Sequence, residues 1–302
     1  MKSKTILFGG SGFFGPSILE RNPDMISVGR SRPPSYVGNE HIKVTDFSDL
    51  SALDEVKFDR VIFLVGSTDY ARINSDPVLG IDSNVLQFKK ILPYMEKRKI
   101  KKLVCFSSIL LYDSKKIAIP VNENQPINPY SSEYAFSKFL LEETAKFYSK
   151  RIPIVTVRLS NIYGPTKLVK SDVITNLIQQ SLSPSVPVVE NAEVVRDFIF
   201  SYDAADAILK LSETDFEGTI NVGTGTGHSV SEAVKIVEKL SGKKVKILNN
   251  PATGHPKFVC DISKLSKLTR WKPKFTLEEG VEETYKRMSQ WADECRWWEK
   301  RS

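Results

Sequence analysis

A short apolar run that leads into three spaced glycines places the strongest constraint on this chain. Residues Thr5–Phe8 are followed by Gly9, Gly12 and Gly15 in the pattern Gly-x-x-Gly-x-x-Gly. Gly9 permits a tight turn, Gly12 lets backbone amides approach a phosphate, and Gly15 lets the following helix pack closely. The amino-terminal end of that helix would stabilise an anion. The pattern predicts a strand, turn and helix that bind a pyrophosphate, and an ordinary glycine-rich turn is the alternative.

Strand and helix patterns alternate through the first half of the sequence. Apolar runs follow at 25–29, 41–44, 61–65, 103–106 and 154–157, and helical patterns at 78–97 and 131–148 lie between them. Such alternation is typical of βαβ units. We therefore expect an α/β fold with a doubly wound parallel sheet, that is, a Rossmann fold. Helical patterns predominate after residue 165, which predicts a smaller, mostly helical C-terminal substrate-binding domain.

The domain boundary follows from this change of pattern. We expect a dinucleotide-binding Rossmann domain over residues 1–165 and a mainly substrate-binding domain over residues 166–302. The two domains are expected to interleave. Residues 194–212 and about 258–270 are predicted to return to the Rossmann part.

Net charge and cysteine content restrict the class of protein. The 302 residues carry a net charge of +7 and a pI near 9.1, which suits a polyanionic ligand. The basic residues form no concentrated face with interleaved aromatics, so nucleic-acid binding is disfavoured. Cys105, Cys260 and Cys295 are scattered, and neither a disulfide framework nor a metal site is predicted. The first residues lack a membrane span and a cleavage signature, so we expect a cytoplasmic protein without a membrane partner.

The end of the second predicted strand bears on the cofactor. An acidic residue there would accept hydrogen bonds from the ribose of NAD and repel the 2′-phosphate of NADP. Here the segment is Arg30-Ser31-Arg32, which contains no carboxylate. Two guanidinium groups and a hydroxyl suit a phosphate, so NADP(H) is favoured over NAD(H). Asp46, after the third strand, is a candidate acceptor for the adenine amino group, and an exposed loop aspartate is the alternative.

Tyr134 and Lys138 are four residues apart in a predicted helix, downstream of Ser107 and Ser108. The spacing places the phenol and the ammonium on one helix face. A free tyrosine has a pKa near ~10, and a neighbouring ammonium lowers it. Serine hydroxyls can hold a carbonyl oxygen. Together with the glycine pattern, these groups supply what hydride transfer needs, so an enzyme is the favoured interpretation.

Motifs spaced along nearly the whole chain resemble those of a known family. The chain is similar to the extended short-chain dehydrogenase/reductases, also called NAD-dependent epimerase/dehydratases. The resemblance rests on Gly9-Gly10-Ser11-Gly12-Phe13-Phe14-Gly15, Phe106-Ser107-Ser108 with Tyr112, Tyr134-x-x-x-Lys138, Arg158-Leu159-Ser160-Asn161-Ile162-Tyr163-Gly164-Pro165, Arg196-Asp197-Phe198-Ile199, Asn221-Val222-Gly223 and Trp271-x-Pro273.

The resemblance implies an enzyme that acts on a nucleoside-diphosphate sugar. It implies that Tyr134 is the acid/base, that Lys138 lowers its pKa, and that Ser108 orients the substrate oxygen. It also implies that the helices at 78–97 and 131–148 pair in a homodimer. The substrate-binding residues implied are Ser67, Ser108, Tyr134, Asn161 and Arg196. The cofactor-binding residues expected from the glycine pattern, the strand ends and the resemblance are Gly9, Ser11, Gly12, Phe13, Phe14, Gly15, Arg30, Ser31, Arg32, Asp46, Phe47, Val65, Gly66, Ser67, Ser107, Tyr134 and Lys138.

Departures from the family pattern narrow the reaction. Family dehydratases carry an Asp-Glu pair directly after the Ser/Thr, and here those positions are Ile109 and Leu110, which cannot move a proton. Pro251 stands about where several epimerases carry a second phosphate-binding arginine. Two reactions remain. The first, slightly favoured by Arg30 and Arg32, is NADPH-dependent reduction of a 4-keto-6-deoxyhexose. The second is 4-epimerisation with NAD, and a non-catalytic dinucleotide-binding regulator is a third, less favoured interpretation.

Overall fold

A computed structural model describes residues 4–170, 172–250 and 256–300. Pro251 therefore lies outside the described residues. The strands, numbered in chain order, are β1 (Thr5–Phe8), β2 (Ile26–Gly29), β3 (His41–Lys43), β4 (Arg60–Phe63), β5 (Lys102–Ser108), β6 (Ile154–Leu159), β7 (Asn161–Tyr163), β8 (Val188–Glu190), β9 (Val195–Arg196), β10 (Phe198–Phe200), β11 (Gly218–Val222), β12 (His228–Ser229) and β13 (Lys246–Leu248).

The helices fill the connections between these strands. They are α1 (Gly15–Arg21), α2 (Tyr70–Ser75), α3 (Pro77–Ile81), α4 (Gln87–Lys97), α5 (Glu133–Tyr148), α6 (Val173–Ser181), α7 (Ser201–Ser212), α8 (Val230–Ser241), α9 (Ser263–Thr269), α10 (Leu277–Ser289) and α11 (Ala292–Cys295). A π-helical stretch, Asp82–Leu86, joins α3 directly to α4. The helix predicted at 78–97 is thus present but contains a wider turn in its middle.

Seven parallel strands form the central sheet, in the order β11-β6-β5-β4-β1-β2-β3. The predicted doubly wound α/β fold is confirmed. The strand order reverses between β1 and β4, so the connections that leave these two strands diverge and open a crevice at their carboxyl ends. This crevice is where ligands bind in open parallel sheets.

Both faces of the sheet are covered, which explains the continuous apolar runs of its strands. Ile6 and Phe8 of β1 face a cluster that includes α4 and α5. Leu7, between them, faces the opposite cluster, which includes α1, α7 and α9. Alternate residues of one strand therefore anchor the helices of opposite layers, and the sheet holds the strand ends in fixed positions.

The C-terminal part forms a second, smaller core. Apolar residues of α6, α8 and α10 pack there with the buried Trp297. Three two-stranded pairs, β7 with β10, β8 with β13 and β9 with β12, surround this core. The segment 218–222 lies elsewhere: as β11 it forms an edge strand of the central sheet beside β6. The chain therefore crosses between the two parts several times, and the boundary near residue 165 stays a prediction.

Candidate active site

The glycine turn between β1 and α1 has the conformation that its sequence predicts. Gly9 adopts φ +86°, a left-handed value that favours glycine, and its amide donates to the Val28 carbonyl at 3.2 Å. A Cβ on Gly15 would lie 2.5–2.6 Å from the backbone of Gly10. Gly15 is therefore required because α1 begins directly against the backbone of the turn.

Helix α5 carries the tyrosine and the lysine. Ser132 caps this helix by accepting a hydrogen bond from the Ala135 amide at 3.1 Å, which fixes where the helix begins. Tyr134 and Lys138 are both buried, and the Lys138 Nζ lies 5.7 Å from the centre of the Tyr134 ring. Lys138 donates to the Phe106 carbonyl at 3.2 Å. The ammonium is thus tied to β5, the strand that ends in the serines.

Two serines end β5 beside this helix. The Ser108 Oγ accepts a hydrogen bond from the Leu110 amide at 3.1 Å and begins a 3₁₀ turn. The Ser107 Oγ is buried and has no hydrogen-bond partner among the described residues. Buried hydroxyls are normally satisfied, so an orphan hydroxyl in a cleft indicates that a ligand supplies the partner.

Asn84 is a central residue of the site that the sequence did not reveal. It lies in the π-helical stretch and is fully buried. Its Oδ1 accepts hydrogen bonds from the Ser67 amide at 3.0 Å and from the Lys138 Nζ at 3.4 Å. Its Nδ2 donates to the Ser137 Oγ at 3.0 Å, and that hydroxyl donates to the Tyr134 carbonyl at 2.8 Å. π-Helical turns recur at functional sites, but their position cannot be read from a sequence pattern.

Burial dominates the acid–base properties of the pair. It raises the pKa of Tyr134 to about 12, and a hydrogen bond with Ser108 opposes that rise. Burial also lowers the pKa of Lys138 to about 8. The expected lowering of the Tyr134 pKa by Lys138 is therefore not seen, because the loss of water around the phenol dominates the shift.

One cleft at the carboxyl ends of the strands, with a volume of about 350 Å³, is lined by Tyr134, by Lys138 and by the two serines that end β5. We call it the glycine-turn cleft. The predicted site residues that line it are Gly9, Gly12, Phe13, Phe14, Gly15, Val65, Gly66, Ser107, Ser108, Tyr134, Lys138 and Asn161. Residues from the turn after β1, from β4, from β5 and from α5, far apart in sequence, are thus brought together. Thr68, Leu110, Lys170 and Asp172 also line the cleft and were not predicted.

Other predicted cofactor contacts lie outside this lining. Arg30, Ser31 and Arg32 are exposed beyond the end of β2, on the side of the glycine turn. Asp46 is exposed, and its carboxylate accepts hydrogen bonds from Ser48 and pairs with Lys90 at 3.2 Å. The hydrogen bonds with Ser48 and then Lys90 lower the pKa of Asp46 to about 2.

Phe47, Ser11 and Ser67 complete the predicted cofactor contacts. Phe47 is buried, and its ring packs edge-on against Phe8 at 5.6 Å. Its side chain is therefore part of the core. Ser11 lies within the glycine turn but not in the lining of the cleft. The Ser67 Oγ accepts a hydrogen bond from the Asp69 amide at 3.3 Å, so this hydroxyl helps to start α2.

Strand pairing in the C-terminal part brings the predicted substrate residues together. Asn161 at the start of β7 pairs with Phe198 of β10, and its amide donates to the Asp197 carbonyl at 3.2 Å. The Asp197 carboxylate is buried and accepts backbone hydrogen bonds from Thr224, Gly225 and Cys260. It thereby fixes the backbone next to Arg196.

Two further cavities meet the glycine-turn cleft at Asn161. The first, of about 480 Å³, is lined by Tyr70, Tyr112, Ser132, Arg196 and Phe258 among others, and we call it the Tyr70 cavity. The second, of about 330 Å³, is lined by Asp172, Glu190, Asn191, Arg196 and Phe198 among others, and we call it the Glu190 cavity. Asn161 lines all three spaces, and Arg196 stands between the two cavities.

The residues present fit a dinucleotide. The glycine turn lines the cleft, and α1 begins directly behind it without a side-chain cap on its first amides. The cleft continues from this turn to Ser107, Tyr134 and Lys138. The buried Ser107 hydroxyl there has no hydrogen-bond partner among the described residues. Within the described residues, no group of His, Cys, Asp and Glu side chains is placed to hold a metal ion. Among the same residues, no helix is long and apolar enough to cross a membrane.

Comparisons with known proteins agree with this geometry. The model of the NAD-dependent epimerase/dehydratase family matches residues 5–223. A Methanocaldococcus jannaschii protein described as a putative UDP-glucose 4-epimerase is 30% identical, and the match covers 95% of this chain and 97% of that protein.

Solved structures share the fold. UDP-glucose 4-epimerase from Thermus thermophilus, in complex with NAD, superposes with a TM-score of 0.82 at 23% identity, over 94% of this chain and 98% of that one. UDP-N-acetylglucosamine 4-epimerase from Methanobrevibacter ruminantium gives a TM-score of 0.85 at 24% identity, over 96% and 99%. The Thermus thermophilus structure contains NAD, so the NADP(H) preference predicted from Arg30, Ser31 and Arg32 receives no support here. The matched family model and the M. jannaschii relative together establish that the chain belongs to the NAD-dependent epimerase/dehydratase family.

Proposed function

We propose that this protein is an NAD-dependent 4-epimerase of a nucleoside-diphosphate sugar, with a UDP-sugar as substrate. The carrying observation is that Ser108, Tyr134 and Lys138 face the glycine turn across one cleft. The M. jannaschii relative, matched over nearly its whole length, is described as a putative UDP-glucose 4-epimerase, which supports the same reaction. The predicted reductase activity lacks such support.

The proposed acid–base chemistry belongs to Tyr134 and Ser108. Bound NAD would supply the acceptor, and then the donor, of a hydride at the sugar C4. The Tyr134 Oη would take the proton from the C4 hydroxyl as the carbonyl forms, and would return it after the ring turns. Ser108, which already interacts with Tyr134, would hold the C4 oxygen in both steps.

Lys138 would make the phenolate accessible. With a pKa of about 8, it is mostly protonated at neutral pH, and its ammonium lies 5.7 Å from the centre of the Tyr134 ring. A positive charge at this distance in a buried site favours the ionised phenol. The hydrogen bonds from Lys138 to Phe106 and Asn84 hold the ammonium in place during the proton transfer.

An epimerase needs room for the sugar to present either face, and the Tyr70 cavity next to the cleft provides about 480 Å³. Leu110 lines both spaces and is half-exposed. Its apolar side chain cannot exchange a proton with the sugar, and neither can Ile109. Elimination of water, which needs an additional acid and base, is therefore disfavoured. Arg196, between the Tyr70 and Glu190 cavities, would bind the diphosphate that joins sugar and nucleoside.

A second candidate is an NADPH-dependent 4-keto-6-deoxyhexose reductase. It is favoured by one observation: Arg30 and Arg32 are exposed at the end of β2, and no carboxylate stands among residues 26–32. The two candidates use the same proton donor and differ in the dinucleotide that they need. Mass spectrometry of the dinucleotide that co-purifies with the protein distinguishes them, because tightly held NAD favours the epimerase.

The decisive assay uses the purified protein and UDP-glucose without added reductant. Formation of the 4-epimer, followed by NMR, supports the proposal. Tyr134→Phe should lose the activity while it keeps its affinity for NAD, and Tyr130→Phe, on an 83% exposed tyrosine, should keep both. A wild-type protein that leaves UDP-sugars unchanged but consumes NADPH with a 4-keto sugar would establish the reductase instead.

We also propose a homodimer that forms through α4 and α5. Phe147 on α5 is 70% exposed and Leu86, directly before α4, is 44% exposed. Exposed large apolar side chains on neighbouring helices are typical of a surface that a second chain covers. A second copy of this chain would bury both residues in a bundle of four helices.

A further inference from the structure

The carboxylate that caps α6 has one oxygen more than the cap requires. The Asp172 Oδ1 accepts a hydrogen bond from the Thr175 amide at 3.0 Å. The Asp172 Oδ2 is also buried, yet it finds no hydrogen-bond partner in the described part of the chain. A serine caps a helix about as well as an aspartate. The cap therefore does not account for the second oxygen.

Asp172 occupies a junction of the site. It lines the glycine-turn cleft and the Glu190 cavity, and Asn161 lines the same two spaces. The Asn161 Oδ1 is likewise buried and without a hydrogen-bond partner within residues 4–170, 172–250 and 256–300. Two buried acceptors without donors at one junction indicate that a ligand brings the donors, because unpaired buried polar atoms are rare.

The electrostatic surroundings of Asp172 also suit a neutral donor. Burial raises the pKa of Asp172, and the neighbouring Lys170 opposes the rise. The Lys170 Nζ lies 4.7 Å from the centre of the Phe13 ring in the glycine turn, so its charge is close to the expected pyrophosphate. The Asp172 carboxylate would repel a phosphate group of the ligand, whereas a hydroxyl group of the ligand would donate a hydrogen bond to this carboxylate.

We propose that Asp172 is a specificity-determining residue that accepts a hydrogen bond from a hydroxyl group of the nucleotide sugar, beside Asn161. The proposal rests on the proposed function, because it requires a ligand that spans the two spaces. The hydroxyl belongs either to the ribose or to the hexose. Both have the same chemistry toward a carboxylate oxygen, and binding measurements with UDP and UDP-glucose separate them.

The test compares wild type with Asp172→Ser by calorimetric titration of UDP and of UDP-glucose. Serine keeps the helix cap and removes the buried Oδ2, so the melting temperature should not fall. Affinity for UDP-glucose should fall about ten-fold or more, the effect of losing a buried hydrogen bond to a charged group. A parallel loss for UDP assigns the ribose hydroxyl, whereas a loss for UDP-glucose alone assigns the hexose hydroxyl; both outcomes support the proposal.

Two further variants provide a control for the helix cap and a second test of the Asp172 Oδ2. Asp76 is the N-cap of α3, where its Oδ1 accepts a hydrogen bond from the Leu79 amide at 3.3 Å, and it lines none of the three spaces. Asp76→Ser should therefore bind both ligands as wild type does. Asp172→Asn keeps the size and the cap but presents a donor in place of Oδ2, so it should weaken binding as much as Asp172→Ser.

Unchanged or tighter binding of both ligands by Asp172→Ser and Asp172→Asn would overturn the role of Asp172 and leave the proposed function intact. A wild-type protein that binds neither UDP nor UDP-glucose would instead overturn the proposed function, and the role of Asp172 with it.

Discussion

Replacing Asn84 with alanine removes the centre of the hydrogen-bond network beneath the catalytic pair. Three groups each lose one hydrogen bond: the Ser67 amide, the Lys138 ammonium and the Ser137 hydroxyl. A neutral buried hydrogen bond contributes about 1 kcal/mol and one to a charged group about 1.5–3 kcal/mol. Lys138 and Ser137 retain one other bond each, to the Phe106 and Tyr134 carbonyls, which limits the loss. We expect the free energy of unfolding to fall by about 3 kcal/mol.

For a chain of 302 residues, an unfolding entropy of about 2.1 cal/mol/K per residue converts this loss into a melting temperature lower by about 5 °C. Differential scanning calorimetry measures the shift. The matched control is Asn176→Ala, which removes a helix asparagine whose Oδ1 accepts from Gln180 at 3.2 Å. Its cost should stay below about 0.5 kcal/mol, because it is a single i,i+4 contact.

The same variant should also lose activity, since Lys138 would no longer be held from two sides. Turnover should fall by at least about ten-fold, the result of a 1.4 kcal/mol loss at the transition state. A melting temperature and a turnover rate equal to those of Asn176→Ala would refute the reasoning. Stability lost with turnover unchanged would show that Asn84 supports the fold but does not position the ammonium.

Three other perturbations test separate parts of the molecule. Because burial lowers the pKa of Lys138 to about 8 while the unfolded value is about 10.5, the unfolded chain binds more protons between these values. The contribution of Lys138 to stability should therefore grow from pH 8 to pH 10, so the difference in unfolding free energy between wild type and Lys138→Met should increase over this range in urea unfolding curves. A difference that does not change with pH would contradict the assignment. Gly15→Ala places a Cβ 2.5 Å from the Gly10 backbone and should weaken NAD binding at least ten-fold, as measured by fluorescence titration. Unaltered affinity would argue against the glycine turn as the phosphate site. Phe147→Glu should convert the proposed dimer to a monomer in sedimentation, and an unchanged sedimentation coefficient would place the interface elsewhere.

Most of the fold was predictable because its signals are local. A strand buried on both faces must be largely apolar, as residues 6–8 of β1 are, and a turn against a helix start must use glycine at positions 9 and 15. The spacing of Tyr134 and Lys138 gives one helix face from helix geometry alone. These relations span only a few residues, so the sequence expresses them directly.

The tertiary structure decided which polar groups meet. Asn84 and Ser137 are 53 positions apart, yet they share a hydrogen bond because a π-helical turn rotates the asparagine toward α5. Tyr112, a family marker in the sequence, donates to the Asn221 Oδ1 at 2.7 Å and ties the loop after β5 to β11. No periodic pattern specifies such long-range pairs.

The local sequence therefore determined the strands, the glycine turn and the face that carries Tyr134 and Lys138, because backbone geometry relates near neighbours. Only the packed structure decided that Asn84 holds Lys138, and that burial raises the pKa of Tyr134 before any ligand arrives. Solvent exclusion and contacts between distant segments exist only once the sheet, α5 and the C-terminal part have come together.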